Sequence, residues 1–84
     1  MADQDQYHCH FGGYIKEIFN DKASIEIWDC PVLSRGTLVT VPKANFAEQS
    51  FRTGVGRGCY VEGNVYKTGN SHDPYAFKHV TKIV

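Results

Sequence analysis

The sequence predicts an all-β protein: one small barrel of five strands, with a short helix between the third and fourth strands. Five segments alternate apolar with polar residues or are rich in β-branched side chains, which is typical of strands. Between the third and fourth of them the apolar spacing changes to that of a helix. The 84 residues have room for one domain, and because so short a chain has a thin core, we expect it to oligomerise.

The first two strands are predicted to form a hairpin. Residues 7–19, YHCHFGGYIKEIF, form a long first strand in which the Gly12-Gly13 pair permits a bulge or a sharp bend. Asparagine, aspartate and lysine at residues 20–22 form the turn. Residues 23–29, ASIEIWD, alternate so that the isoleucines share one face, while Trp28 falls with the polar residues on the other face.

The third strand covers residues 37–42, TLVTVP, and stops at its proline. Residues 45–54, NFAEQSFRTG, then predict a helix of about two turns. Asn45 is its expected N-cap, Glu48 at the third helical position completes a capping box, and Gly54 can close the helix.

The last two strands are predicted from residues 58–69, GCYVEGNVYKTG, and from residues 75–84. In the fourth strand the small and apolar residues face one way, and Tyr60 and Tyr66 face the other. Three strands, a helix and two more strands, with a coiled first strand, is the order of the oligonucleotide/oligosaccharide-binding (OB) barrel. An SH3-like barrel is the main alternative, but it would not ordinarily need a capped helix there. We therefore predict a flexible segment over residues 1–6 and an OB-fold barrel over residues 7–84.

Charge is unevenly distributed along a chain whose nine basic and nine acidic residues cancel. Up to Asp29 there are six acids against two lysines, whereas the remainder has three acids against seven bases, a region of about +4. Bulk charge therefore predicts neither nucleic acid nor membrane as a partner. A local basic surface would still attract a polyanion.

The cysteines, Cys9, Cys30 and Cys59, are odd in number, widely spaced and without a CxxC motif. No apolar secretory segment stands at the N-terminus, and no apolar run approaches the roughly 20 residues that span a bilayer. We therefore expect a soluble protein of the reducing cytoplasm, with no membrane partner.

The segment from Phe46 onward carries a family pattern: Ala47-Glu48, then residues 58–66, GCYVEGNVY, then a final strand over residues 75–84 that ends in aliphatics. This pattern resembles the C-terminal half of bacterial single-stranded DNA-binding proteins and of the related primosomal replication protein. The resemblance covers roughly half of the chain and implies an OB-fold that holds single-stranded DNA. One departure is the hairpin of residues 68–74, which is shorter than is usual in that family.

The predicted outward residues offer what single-strand binding needs, namely flat rings on which bases stack and cations along a groove for phosphates. Trp28 on the second strand, Tyr60 and Tyr66 on the fourth and Tyr75 on the fifth are the predicted stacking residues. The predicted phosphate contacts are Lys16, Arg35, Lys43, Arg57, Lys67 and Lys78, joined by His72 from the hairpin tip.

Each aromatic residue also has a structural interpretation. Trp28 could belong to the core or to a dimer interface, and Tyr60 and Tyr66 could cover a homodimer seam, because tyrosine is favoured in interfaces. Phe77, two residues after Tyr75, is more often a core residue than a binding residue. Isolated surface lysines are usually just solvated. The predicted cations therefore support a nucleic-acid-binding site only if they form a cluster.

The sequence favours neither a metal site nor an active site. His8-Cys9-His10 places two imidazoles on one predicted strand face, but the spacing matches no common zinc pattern and Cys9 turns away from them. Cys59 alternates inward, where a thiol is an inert hydrophobe. The glycines of GVGRG are followed by a strand rather than a helix, so they form no phosphate loop. We expect no metal, no cofactor and no enzymatic activity.

These observations together predict a non-enzymatic protein that binds single-stranded nucleic acid, with DNA as the expected substrate, in replication, recombination or phage or plasmid maintenance. The expected assembly is a homo-oligomer, a dimer or tetramer. The alternative is a protein-interaction barrel that uses its exposed aromatics for partner or subunit contacts. RNA or duplex binding is a third hypothesis, because stacking surfaces accept any base.

Overall fold

The computed structural model describes residues 6–47 and 54–83 of the chain. Within those ranges the regular structure is five β-strands and one 3₁₀ turn. The strands are β1 (Gln6–Ile18), β2 (Lys22–Asp29), β3 (Leu38–Pro42), β4 (Tyr60–Lys67) and β5 (Tyr75–Lys82), and the turn covers Lys43–Asn45. The predicted all-β class with five strands is confirmed.

All five strands belong to one antiparallel sheet, in the order β3-β2-β1-β4-β5. The first three follow one another as neighbours and β4 returns to the free side of β1, which is a Greek-key arrangement. The long β1 therefore pairs with β2 on one edge and with β4 on the other. Its pairing with β2 shifts register between Gly12 and Gly13, as predicted, and again between Ile15 and Glu17. These irregularities allow the long strand to coil with the sheet.

The curled sheet meets itself where the chain leaves the 3₁₀ turn. Phe46 forms a parallel bridge with Val80 of β5, and the Ala47 N–H donates to the Val80 carbonyl over 2.8 Å. One residue earlier, the Asn45 side-chain amide donates to the Phe77 carbonyl over 2.9 Å. Five strands in a Greek-key order, partly closed in this way, form a small OB-like barrel, which confirms the predicted fold.

The barrel interior is filled by the apolar residues that alternate inward along the strands, as the sequence predicts. The buried core residues are Phe11, Ile15, Ala23, Ile25, Ile27, Val41, Phe46, Val61, Val65, Phe77 and Val80. Gly63 lies among them because no side chain fits there. A Cβ at Gly63 would come within 2.9 Å of the Phe11 ring and 3.0 Å of the Lys78 carbonyl, so this glycine lets β5 approach closely.

The predicted start of the helix is wrong. Asn45 does not cap a helix but bonds across the barrel to β5, and Phe46 is already extended, with φ −83° and ψ 152°. The Phe46 ring is buried in the core, with 6% of its surface exposed, and this tertiary burial outweighs the local capping pattern. Glu48 and the rest of the predicted helix up to residue 53 lie outside the described residues. Gly54 has a φ of +94°, in the left-handed region.

Candidate functional site

Three aromatic rings form a row across the face of the sheet that points away from the core, here called the outer face. Trp28 of β2 contacts Tyr14 of β1 with ring centroids 5.6 Å apart, and Tyr14 contacts Tyr60 of β4 at 5.0 Å. Both pairs are edge-to-face, a favourable arrangement for aromatic quadrupoles. We call Trp28, Tyr14 and Tyr60 the aromatic row. It crosses the three central strands and leaves Trp28 42% and Tyr14 39% exposed.

Strand register explains why these rings meet. Tyr14 lies directly opposite Tyr60 on one side and Glu26 on the other, and Trp28 shares the face of Glu26 two residues later. Gly12 provides the space into which Tyr60 leans, since a Cβ at Gly12 would collide with the Tyr60 phenol oxygen. The glycine therefore allows the phenol end of Tyr60 to reach over β1.

Arg35 extends the aromatic row from the loop after β2. Its guanidinium lies 4.8 Å from the centre of the Trp28 ring, within the range of a cation–π contact. Its Nε also donates to the Trp28 carbonyl over 3.4 Å. A predicted phosphate contact and a predicted stacking residue therefore lie side by side in the structure.

A second aromatic group lies on the same face at the opposite end of β4. Tyr66 contacts Tyr7 of β1 at 5.8 Å in an edge-to-face pair and His79 of β5 at 6.0 Å. The Lys78 ammonium lies 5.5 Å from the Tyr66 ring centre. We call Tyr7, Tyr66, Lys78 and His79 the Tyr66 cluster. It combines stacking surface with positive charge, as Arg35 and the aromatic row do.

The aromatic row and the Tyr66 cluster share one open face but do not touch. Tyr60 and Tyr66 are both on β4, six positions apart, which corresponds to about 20 Å of strand. Between them His10 lies 3.9 Å from the Glu62 carboxylate. The outer face therefore offers two separate stacking surfaces rather than one continuous platform.

Acidic groups accompany the aromatic row. Partial burial raises the pKa of the Tyr60 phenol, and the nearby carboxylates of Glu62 and Asp29 raise it further. Lys16, a predicted phosphate contact, instead forms an ion pair of 3.4 Å with Glu26. The electrostatic character of the outer face is therefore mixed.

Besides Lys16, five of the predicted site residues belong to neither aromatic group. Tyr75 is half-buried against the core and stacks on His8, with centroids 6.0 Å apart, because it alternates with Phe77 toward the inside. Lys67 lines a small pocket inside the β4–β5 hairpin. The other three are Lys43 in the 3₁₀ turn, Arg57 in the turn before β4 and His72 at the exposed hairpin tip.

Sequence reasoning missed Tyr7 and Tyr14, although both are exposed residues of β1. A signal for Tyr14 was available, since alternation places it on one face with Gly12 and a glycine inside a strand marks a close approach of another group. For Tyr7 no local signal existed. Its pairing with Tyr66 depends on a register shift between Tyr7 and Cys9.

The same register shift separates the two histidines that were expected to share a face. His8 stacks on Tyr75, whereas His10 lies beside Glu62. Within residues 6–47 and 54–83, no three His, Cys, Asp or Glu side chains gather as metal ligands would. Burial raises the pKa of the Cys9 thiol, and the neighbouring Cys30 raises that pKa further. Neither cysteine forms a disulfide.

No protein-family model, curated protein sequence or solved structure gives a significant match to this chain. In the part of the chain that the structure describes, no helix has the length and apolar character needed to cross a membrane. The geometry of the outer face is therefore the basis for inferring a function.

Proposed function

We propose that this protein binds single-stranded nucleic acid, with DNA as its substrate, without enzymatic activity and as a cytoplasmic homo-oligomer acting in DNA replication, recombination or maintenance. The observation that supports this proposal best is the aromatic row with Arg35 at its end. Rings exposed on an open surface beside cations are what unpaired bases and their phosphates require. The resemblance to single-stranded DNA-binding proteins points the same way.

Two binding sub-sites follow from the geometry. Bases of the nucleic acid stack on the aromatic row while Arg35 contacts a phosphate. A more distant part of the same nucleic-acid strand reaches Tyr66 and Lys78. Each stacked base contributes about 1–3 kcal/mol. The two surfaces lie about 20 Å apart along β4. An oligonucleotide long enough to reach both surfaces should therefore bind more tightly than a shorter one.

The direct test is a titration with oligo(dT), followed by the fluorescence of Trp28, at two salt concentrations. Two phosphate contacts, from Arg35 and Lys78, predict a slope of log K against log[salt] of about −1.4. Tyr60→Leu should weaken binding by about 5- to 150-fold, the equivalent of one stacked base. Phe19→Leu is the matched control, because Phe19 is 48% exposed and belongs to neither aromatic group.

A pair of arginine substitutions tests the contribution of positive charge to nucleic-acid binding. Arg35→Gln should weaken binding and reduce the salt slope by about 0.7. Arg57→Gln removes the same charge from an exposed turn outside both aromatic groups and should change neither. Absence of fluorescence quenching and of salt-dependent binding at micromolar protein would remove the proposal. Competition among single-stranded DNA, single-stranded RNA and duplex DNA then identifies the substrate.

A second candidate function is protein interaction, in which the aromatic row seals a subunit or partner interface. The carboxylates of Glu62 and Asp29 beside Tyr60 favour it, because they repel phosphate. Tryptophan, tyrosine and arginine are also the residues that dominate interface energies. Under this function, Tyr14→Ala should change the sedimentation coefficient, and oligo(dT) should quench the Trp28 fluorescence neither of the unmodified protein nor of Arg35→Gln.

A further inference from the structure

The seam of the barrel is closed at one end and open at the other. Near the closed end Asn45 spans the gap to β5. Toward the open end a cleft of about 490 Å³ lies between β3 and β5. Leu38 and Thr40 line one wall, Tyr75 lines the other, and Asp73 lies at the mouth.

Backbone groups of β3 face this cleft. The Ile27 N–H bonds the Thr37 carbonyl over 2.8 Å, which fixes this pair as hydrogen-bonded between β2 and β3. Bonded and non-bonded pairs alternate along an antiparallel ladder. The N–H and C=O groups of Leu38 and Thr40 therefore point away from β2, toward the cleft. No charged side chain protects this edge, since β3 reads LVTVP.

The edge of β5 that faces the cleft also has backbone N–H and C=O groups that point into it. The Thr68 N–H bonds the Pro74 carbonyl over 3.0 Å, so alternation directs the backbone groups of Tyr75 and Phe77 away from β4. The bond from Asn45 to the Phe77 carbonyl shows this direction. Asn45 already occupies the Phe77 carbonyl, so the backbone groups of Tyr75 on β5 and of Leu38 and Thr40 on β3 are those directed into the open part of the cleft.

The dimensions of the cleft suit a single extended chain. One strand residue fills roughly 3.3 × 4.8 × 10 Å, about 160 Å³, so the cleft volume corresponds to about three residues. Because each neighbouring pair in the order β3-β2-β1-β4-β5 is antiparallel, β3 and β5 run the same way, and one inserted strand can be antiparallel to both. A folded second copy would bring its own β2 to the position that β5 occupies, so a segment without a neighbouring strand fits better.

The lining indicates the chemistry of that segment. Val39 and Phe77 border the inner side of the cleft and accept apolar side chains. Asp73 is exposed, and within the described residues no cation pairs with its carboxylate. We propose that the cleft binds an extended peptide segment of a partner protein by strand addition, with alternating apolar residues and a lysine or arginine beside Asp73. An antiparallel segment places that basic residue at its C-terminal end, because Asp73 precedes β5.

The test uses the full chain, labelled with ¹⁵N, and the peptide acetyl-Thr-Val-Thr-Val-Lys-amide. We expect saturable NMR shifts of the Leu38, Thr40 and Tyr75 amides at or below about 1 mM peptide. The same peptide with alternate backbone nitrogens methylated keeps its side chains but loses donors, and it should bind at least about tenfold more weakly. Replacing its lysine by glutamate should also weaken binding, and Asp73→Asn should remove that difference.

On the protein side, Thr40→Pro removes one N–H that faces the cleft and should reduce affinity about tenfold. Thr40→Val keeps the N–H and is the matched control. If Thr40→Pro does not fold, the comparison of plain with methylated peptide decides alone. Equal binding of those two peptides, or no saturable shift, overturns the proposal.

Two other results would also overturn it by identifying a different occupant. If protein concentration alone shifts the Leu38 and Thr40 amides and Thr40→Pro abolishes a dimer, the cleft holds a second copy. If oligo(dT) shifts these amides and displaces the peptide, the cleft belongs to nucleic acid. Loss of oligo(dT) binding elsewhere on the barrel would leave the peptide result unaffected, so the two proposals are tested separately.

Discussion

Replacing Tyr14 by alanine removes the ring that joins Trp28 to Tyr60. Tyr14 makes edge-to-face contacts with both neighbours, at centroid distances of 5.6 and 5.0 Å, and each such pair contributes about 0.5–1.5 kcal/mol. Because the ring is 39% exposed, we expect values in the lower half of that range, about 1.5 kcal/mol in total. For a domain of this size the loss corresponds to a decrease in Tm of about 6–12 °C.

Urea unfolding, followed by circular dichroism and by Trp28 fluorescence, measures this loss of stability. Tyr7→Ala is the control, since Tyr7 is 58% exposed and makes one edge-to-face contact, with Tyr66. It should cost less than about 1 kcal/mol. The emission maximum of Trp28 should shift to longer wavelength in Tyr14→Ala and stay unchanged in Tyr7→Ala.

A double-mutant cycle between Tyr14 and Trp28 isolates their contact from other effects of each substitution. Residues in contact show coupling energies of about 0.5 kcal/mol or more. A coupling energy below about 0.3 kcal/mol, within the usual error of additivity, would refute the argument that the aromatic row is an interacting unit.

Three further predictions concern the core, the phenol of Tyr60 and the seam. Gly63→Ala should destabilise the fold by about 1–3 kcal/mol through overpacking, whereas Gly56→Ala, in open space, should be nearly neutral in the same urea titration. The raised pKa of Tyr60 means that the unfolded chain loses this proton first. The stabilisation that the protonated Tyr60 phenol gives to the folded state is present below about pH 10. This stabilisation is lost as the pH rises through the pKa of the phenol in the folded protein. In ultraviolet titration at 295 nm Glu62→Gln should lower that pKa, and an unchanged value would contradict the assigned cause. Phe46→Ala should cost about 3–5 kcal/mol in thermal unfolding, and a loss below 1 kcal/mol would mean that the seam does not contribute to the core.

Alternation in the sequence predicted most of the fold, because side-chain direction in a strand depends only on position parity. Trp28 and Tyr60 were placed on the polar face correctly by this rule. The parity rule fails at a bulge, however. The register shift between Tyr7 and Cys9 separates His8 from His10, with which it was expected to share a face, and His8 stacks on Tyr75 instead. Bulges of this kind are set by the partner strand, which a local pattern does not contain.

The helix start shows the same limit from a different cause. The spacing of Asn45 and Glu48 matches a capping box, but a cap is a local bond that competes with tertiary ones. In the structure the Asn45 amide reaches Phe77, 32 residues away, and the Phe46 ring enters the core. The gathering of Tyr14 with Trp28 and Tyr60 likewise required cross-strand register.

The central position of β1 has a consequence for how quickly the chain reaches this fold. Pairing of β1 with β2 closes a short loop. The other edge of β1 pairs with β4, which is roughly 50 residues further along the chain. Closing such a span costs chain entropy before any contact repays it, and proteins dominated by distant pairings fold in milliseconds to seconds. Until β4 arrives, the unpaired side of the longest strand is exposed to other chains during synthesis, which makes this interval the period of greatest aggregation risk.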